Sequence, residues 1–271
     1  MDWPVTHDYC RAFAEAFGMP IRYSWRVGGF EREMLRENTP TAAVKFEDET
    51  GNVIECGGKS NRLGTRMKFP QVSANLSVRW CSAYLKIDVC ALAVTNQPRF
   101  RDRKTLIITG ERAQESSARA NYKTFEPDRA DNRDGKRVVR HVDHWRPVHG
   151  WDETQIWDII EKYRVNPHPA YHLGWGRLSC MACIFGSPDQ WASVRRCDRD
   201  KFNMIARYEE QFDCTIHRTR SVSEQADRGA PYAAINRRML KKAVSDRYSD
   251  RILLKKWELP AGAFGESTGP T

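Results

Sequence analysis

Apolar residues recur at helical spacing through HDYCRAFAEAF until Gly18 and Pro20 interrupt the run. The pattern predicts an N-terminal helix capped by Thr6. IRYSW reads as a short strand, and two β-prone runs over 41–56 flank the polar turn Thr50-Gly51-Asn52, which predicts a hairpin. A Gly-rich basic loop, GGKSNRLGTRMKFP, leads to a second helical pattern, VRWCSAYLKIDVCALAV, with Val78, Cys81, Leu85, Val89 and Leu92 on its expected apolar side.

Beyond residue 100 the pattern changes to strands alternating with helices. KTLIITG is an apolar, β-branched strand ending in Gly110, and ERAQESSARANY predicts a helix that starts at once. RVVRHV reads as the next strand. A helix follows from Trp151, with Asp152 and Gln155 at capping-box spacing and Ile156, Ile159, Ile160 and Tyr163 as its apolar stripe. Such alternation predicts an α/β fold with a parallel sheet. A Pro/Gly-punctuated loop, RVNPHPAYHLGWGR, carries the chain to Cys180-x-x-Cys183. Further helices are expected over 199–211 and 232–246, and LPAGAFGESTGPT reads as a mobile tail. The expected division is an α/β domain over 1–185 and a helical C-terminal region over 186–271.

Composition narrows the class. A 40% hydrophobic content with nine Trp is enough for a packed core, so disorder is not the default. No apolar run reaches membrane-spanning length, and MDWPVTHDYC lacks the layout of a signal peptide. The expected compartment is the cytoplasm, where the eight irregularly spaced cysteines read as thiols or ligands rather than disulfides. The +9 charge, 44 Lys and Arg against 35 Asp and Glu, fits either an ordinary basic surface or an anionic partner: nucleotide, sulfated substrate or nucleic acid.

Ligands of open α/β sheets sit beyond the C-terminal strand ends, at helix N-termini. In ITGERAQESSAR a continuous helix would place Arg112, Ser116 and Arg119 on one face. Two guanidiniums and a hydroxyl suit a phosphate or sulfate. A solvated face with Glu111 and Glu115 as ion-pair partners is the competing reading. The pair Cys180 and Cys183 has three readings from spacing alone: half a zinc site, a redox pair, or part of an iron–sulfur site. Buried structural thiols are a fourth.

TGERAQESSAR resembles the G-x-R-x-x-E-S-x-x-R element of the phosphoadenosine phosphosulfate (PAPS) reductase family, in the adenine-nucleotide alpha-hydrolase-like group. HWRPVHGWDETQIWDII, HPAYHLGWGRLSCMAC and RWCSAYLK resemble further elements of the same family, in family order. The resemblance implies a Rossmann-like parallel sheet with flanking helices. It implies that Arg112, Ser116 and Arg119 bind the phosphate or sulfate end of an adenine nucleotide, ATP or PAPS, with Arg177 as a further anion contact. It also implies a [4Fe-4S] cluster on Cys81, Cys180 and Cys183; by position, Cys197 is the candidate fourth ligand and Cys90 a poorer one. Two departures bear on activity. The family's S-G-G-K-D-S nucleotide loop is absent, CGGKSNR being only superficially similar, so an N-terminal nucleotide-loop unit is expected to be missing. The tail carries no cysteine to serve as the nucleophile of assimilatory reductases. The implied function is an oxidoreductase or sulfurtransferase in nucleotide-dependent sulfur chemistry, with DNA-phosphorothioation-type enzymes among the relatives. The alternatives are a nucleic-acid- or partner-binding module on the same fold, or a zinc-stabilised structural protein.

Overall fold

A computed structural model of the chain describes residues 1–73, 75–178 and 180–265. Its contacts define two compact units: Arg22–Trp151, and Met1–Ile21 joined to the chain from Asp152 onward. These units cut across the expected domains 1–185 and 186–271, because the first helix packs with C-terminal elements rather than with its sequence neighbours.

That helix, α1 (Thr6–Ala16), forms as its periodicity predicts, but Thr6 does not cap it. Val5 occupies the cap position, and the Thr6 hydroxyl lies 3.3 Å from His168 Nε2 instead. Tyr9 donates to the Asn166 carbonyl at 2.9 Å and meets Tyr248 edge-on, which ties α1 to the end of the chain.

The 22–151 unit begins with β1 (Ser24–Arg26), α2 (Gly29–Met34), β2 (Val44–Glu47) and β3 (Val53–Cys56). The three strands form an antiparallel sheet in the order β1-β2-β3. The predicted hairpin is β2–β3, and Asp48 closes its turn by accepting from the Thr50 and Asn52 amides. Val44 and Phe46 point to the covered face and pack with Val89.

The helix over 80–95 departs from its expected register. It runs as α3 (Trp80–Ser82), a π-helical turn (Ala83–Ile87) and α4 (Asp88–Thr95). A π turn widens the i→i+4 spacing to i→i+5, so a 3.6-residue stripe cannot pass through it. Trp80, Val89 and Val94 are therefore the buried positions, while Cys81 and Leu85 are only half-buried.

A second sheet is built from β4 (Lys104–Ile108), β5 (Phe125–Pro127) and β6 (His141–Trp145), in the order β4-β6-β5, with α5 (Ser117–Ala120) between β4 and β5. β4 and β6 are parallel, which is the part of the parallel-sheet expectation that the fold realises; β5 is antiparallel to β6. β6 starts later than the expected strand over 137–142, because the Arg140 amide and carbonyl are both bonded to Asn132. β5 is three residues long and ends in proline, too short to leave a period. The fold is thus mixed α/β with two small sheets. One face of the second sheet is closed by Val94, Ala130 and Val142, with Phe100 and Ile107 packed on them.

The other unit is helical beyond Asp152: α6 (Glu153–Lys162), α7 (Pro169–His172), α8 (Pro188–Cys197), α9 (Arg199–Phe212), α10 (Val222–Arg228) and α11 (Arg237–Ala243). The Asp152–Gln155 capping box forms as predicted. The expected stripe of α6 does not: Trp157 is its buried residue, set edge-on to Tyr171, and Ile159 and Tyr163 are exposed. Trp3, Trp175 and Tyr232 form an edge-to-face run, with Leu173, Met181 and Trp191 also fully buried. Of the expected mobile tail, 259–265 is fixed: the Gly262 amide donates to the Tyr171 carbonyl at 2.7 Å, and a Cβ there would lie 2.2 Å from the Trp175 carbonyl oxygen. Residues 266–271 lie outside the described residues. Among the described residues no helix is long and apolar enough to cross a membrane.

Candidate functional site

The anion-site residues sit where β4 ends. Thr109 continues the strand by donating its amide to the Trp145 carbonyl, and Gly110 releases the chain into Glu111 and Arg112. The expected continuous helix is absent here. A single 3-10 turn (Ala113–Glu115) is followed by Ser116 in extended conformation (φ −171°), and α5 then begins. Ser and Glu side chains explain the break. Glu115 reaches back to the Arg112 amide, and the Ser116 hydroxyl accepts from the Arg119 amide, so each caps a short turn instead of extending one.

The three residues therefore do not line one helix face, yet the fold still brings them together around Glu115. Arg119 Nη1 contacts Glu115 Oε2 directly, and Arg112 Nε lies 3.7 Å from Glu115 Oε1. Arg112 also donates to Gln114 Oε1. Two guanidiniums share one carboxylate, leaving a net positive charge that a phosphate or sulfate oxygen can complement.

Behind this loop is a ring of polar contacts. Arg146, 6% exposed, donates through Nε to Glu111 Oε2 at 2.6 Å and through Nη1 to Glu126 and the Lys123 carbonyl. Its Nη2 lies 3.3 Å from His144 Nδ1, His144 Nε2 lies 2.8 Å from Thr109 Oγ1, and Thr109 donates to Glu111 at 3.2 Å. Arg146 can only donate, so the imidazole accepts at Nδ1, donates from Nε2, and Thr109 passes its proton on to Glu111. The ring closes through four of the five Arg146 N–H donors, and it fixes the Thr109–Arg112 corner to the end of β6. The His149 carbonyl accepts the Ala113 amide, and His149 Nε2 lies 2.9 Å from the Arg119 carbonyl, which holds both ends of the Arg-bearing turn. Arg146, Glu111 and His149 are the residues that sequence reasoning missed as supports. Their signal was the buried cation after an apolar strand, HVDHWR, visible only once β6 is known to end at Trp145.

Cys180 and Cys183 form a turn in the other unit. Between them Met181 and Ala182 are fully buried, and the Met181 carbonyl accepts from Gln190 Nε2 at 2.9 Å and Trp175 Nε1 at 3.4 Å. The Gly186 amide closes the turn onto the Cys183 carbonyl at 2.8 Å. This knuckle, anchored at its middle, leaves both cysteines half-buried. Its flanking Ser179 lies outside the described residues. Arg177 is half-buried two residues before that gap.

Cys197 ends α8, and burial pushes its thiol up to about 11. Cys81 lies in the other unit, in the first turn of α3. Among the described residues no three His, Cys, Asp or Glu side chains are gathered closely enough to hold a metal ion. Cys180 and Cys183 share this turn, and Cys197 lies at the end of α8.

Over 127 residues the chain is 30% identical to an uncharacterized 37.8 kDa protein from Escherichia phage 186, covering 47% of this chain and 35% of the phage protein. The chain thus matches about a third of that relative's length. No solved structure matches. The sequence pattern of the phosphoadenosine phosphosulfate reductase domain matches residues 63–185, from the loop before Trp80 through the Cys180–Cys183 turn. Over residues 63–185 the chain is thus similar to the PAPS reductase domain.

Proposed function

We propose that the chain acts in nucleotide-dependent sulfur chemistry, as a sulfonucleotide reductase or an ATP-dependent sulfurtransferase. The observation that carries this reading is the convergence of Arg112 and Arg119 on Glu115 beside the Ser116 hydroxyl, within the segment that matches the family. In this reading the phosphate or sulfate end of an adenine nucleotide replaces Glu115 between the guanidiniums, and Ser116 adds a hydroxyl donor. The Arg146 ring holds the corner so that little order is lost on binding.

Cys180 and Cys183 supply two thiolates to an iron–sulfur cluster. Such a cluster, when bound, supplies electron-transfer or sulfur-transfer chemistry. The protein's own part is to hold the two thiols on a turn whose interior residues cannot move out of the core.

Titration calorimetry with ATP and with PAPS tests the nucleotide half. Arg119→Ala and Arg112→Ala should each weaken binding by roughly tenfold to a hundredfold, the range for charge-assisted hydrogen bonds. Arg119→Lys should recover only part of the loss, since an ammonium lacks the planar fork. Equal affinity in wild type and both alanine variants would refute the site. Metal analysis of anaerobically purified protein tests the cluster half separately. Iron with acid-labile sulfide, lost in Cys183→Ala, is expected; one equivalent of zinc without iron would remove the cluster and leave the nucleotide site standing.

A further inference from the structure

The charge excess is not spread evenly. The 22–151 unit holds 24 Lys and Arg against 16 Asp and Glu, which gives it +8 of the chain's +9. Within it, the second sheet has one closed face and one open face. Directly opposed residues of a ladder share a face. The pairs Leu106↔Asp143, Ile108↔Trp145 and Phe125↔Trp145 therefore place Leu106, Ile108, Trp145 and Phe125 together. All four are exposed, Ile108 by 58% and Phe125 by 56%. A parallel pair such as β4–β6 ordinarily has both faces covered, so this face is built to receive something.

Charge identifies what. At the start of β4 the face meets Arg101, Arg103 and Lys104, and the Asp102 amide bonds the Val139 carbonyl, which brings up Lys136 and Arg137. Lys123 stands at the opposite end, two residues before Phe125. All six cations are exposed, and among the described residues none is ion-paired. The carboxylates nearby are fewer. Asp143 is held by Arg133 and His141, leaving Asp102 and Asp134 as the exposed acids of those two loops. Cross-strand neighbours Phe125 and Trp145 form an aromatic platform, the aliphatic pair Leu106 and Ile108 extends it, and cations flank it at both ends. An apolar protein partner would leave those cations uncompensated; a chain of phosphates carrying bases satisfies both features.

We propose that the open face of the β4-β6-β5 sheet binds single-stranded nucleic acid, with bases stacked on Trp145 and Phe125 and phosphates tracked by Lys104, Arg103 and Lys123. This surface is distinct from the Arg112–Arg119 corner and does not depend on it.

The test is fluorescence anisotropy of a labelled single-stranded DNA of mixed sequence, about 20 nucleotides long so that it exceeds a typical single-strand site, with the full chain, over a series of salt concentrations. Binding should weaken with salt, and Phe125→Ala and Trp145→Ala should each lower affinity about tenfold, with Trp145→Phe restoring most of it. Phe125 is the more exposed of the pair, so its variant stays informative if Trp145→Ala fails to fold. Arg103→Gln with Lys104→Gln should flatten the salt dependence by about 0.7 in slope for each phosphate no longer neutralised. The proposal is overturned by absence of binding at low salt, by unchanged affinity in both aromatic variants, or by equal preference for the matching duplex. Sedimentation showing a dimer that Phe125→Ala dissolves would overturn it too, assigning the face to a second copy.

Discussion

Lowering the pH from 7 to 4 is expected to cost the helical unit about 3 kcal/mol through one imidazole. His168 is 1% exposed, and burial, with a smaller contribution from His172, lowers its pKa to about 4. Geometry gives the same answer. Its Nδ1 accepts the Ala170 amide at 3.2 Å and caps α7, and its Nε2 faces the Thr6 hydroxyl, so only the neutral Nε2–H tautomer satisfies both. Because the folded pKa lies below the ordinary value, the unfolded chain takes up the proton first. Stability is therefore complete above about pH 6.5 and falls progressively as the pH drops towards 4. His172, also lowered by burial, acts in the same direction. Asp8, whose carboxyl the Tyr248 amide and Arg11 hold below the usual range, adds to the loss only at the acid end of the window, where the unfolded carboxyl takes up its proton. Denaturant unfolding across pH 4–7 checks this against His168→Asn, which keeps a capping acceptor but cannot ionise. The wild type should lose stability faster than the variant on acidification. Parallel curves for the two would show that the imidazole is not responsible.

How much of this molecule its sequence displays depends on whether the signal is local. The β2–β3 hairpin and the Asp152 capping box were legible because turn and cap chemistry involve residues two to four apart. The stripe over 80–95 was not, since a π turn changes the period without any marker residue, and α6 buries Trp157 rather than Ile159 because of what packs on it. The Arg112–Ser116–Arg119 grouping was read as one helix face, which the fold does not form. Glu115 and Ser116 are helix-compatible by position, but each bonds the backbone and ends a turn. Cys180 and Cys183 declared themselves by spacing, whereas the anchoring of Met181 by Gln190 and Trp175 depends on α8, which has no clear apolar period. Long-range supports such as the Arg146 ring join residues 20 to 35 positions apart and leave no local trace.

The same holds for the most buried carboxylate, and its removal should cause the largest loss of stability. Glu33, on α2, has a 2% exposed side chain and accepts from Arg66 Nε at 2.6 Å; Arg36 Nε lies 3.4 Å away as an ion pair without a hydrogen bond. Arg66 in turn stacks over Tyr84 at 4.4 Å and Trp80 at 5.1 Å, and its amide bonds the Arg36 carbonyl. One carboxylate thus fixes the basic loop that precedes Trp80 against the helix that carries Cys81. Glu33→Ala strands two nearly buried guanidiniums, for which the expected cost is about 3–5 kcal/mol. Glu33→Gln keeps the shape and one acceptor and should cost about half as much. Urea unfolding measures both. Because Arg66 can then leave the Trp80 ring, near-ultraviolet circular dichroism of Glu33→Ala should change in native conditions, while Glu33→Gln should stay close to wild type. A loss under about 1 kcal/mol for Glu33→Ala, the size of an exposed ion pair, would mean that the two arginines reach water once their partner is gone, and that loop and helix are held by the aromatic stack instead.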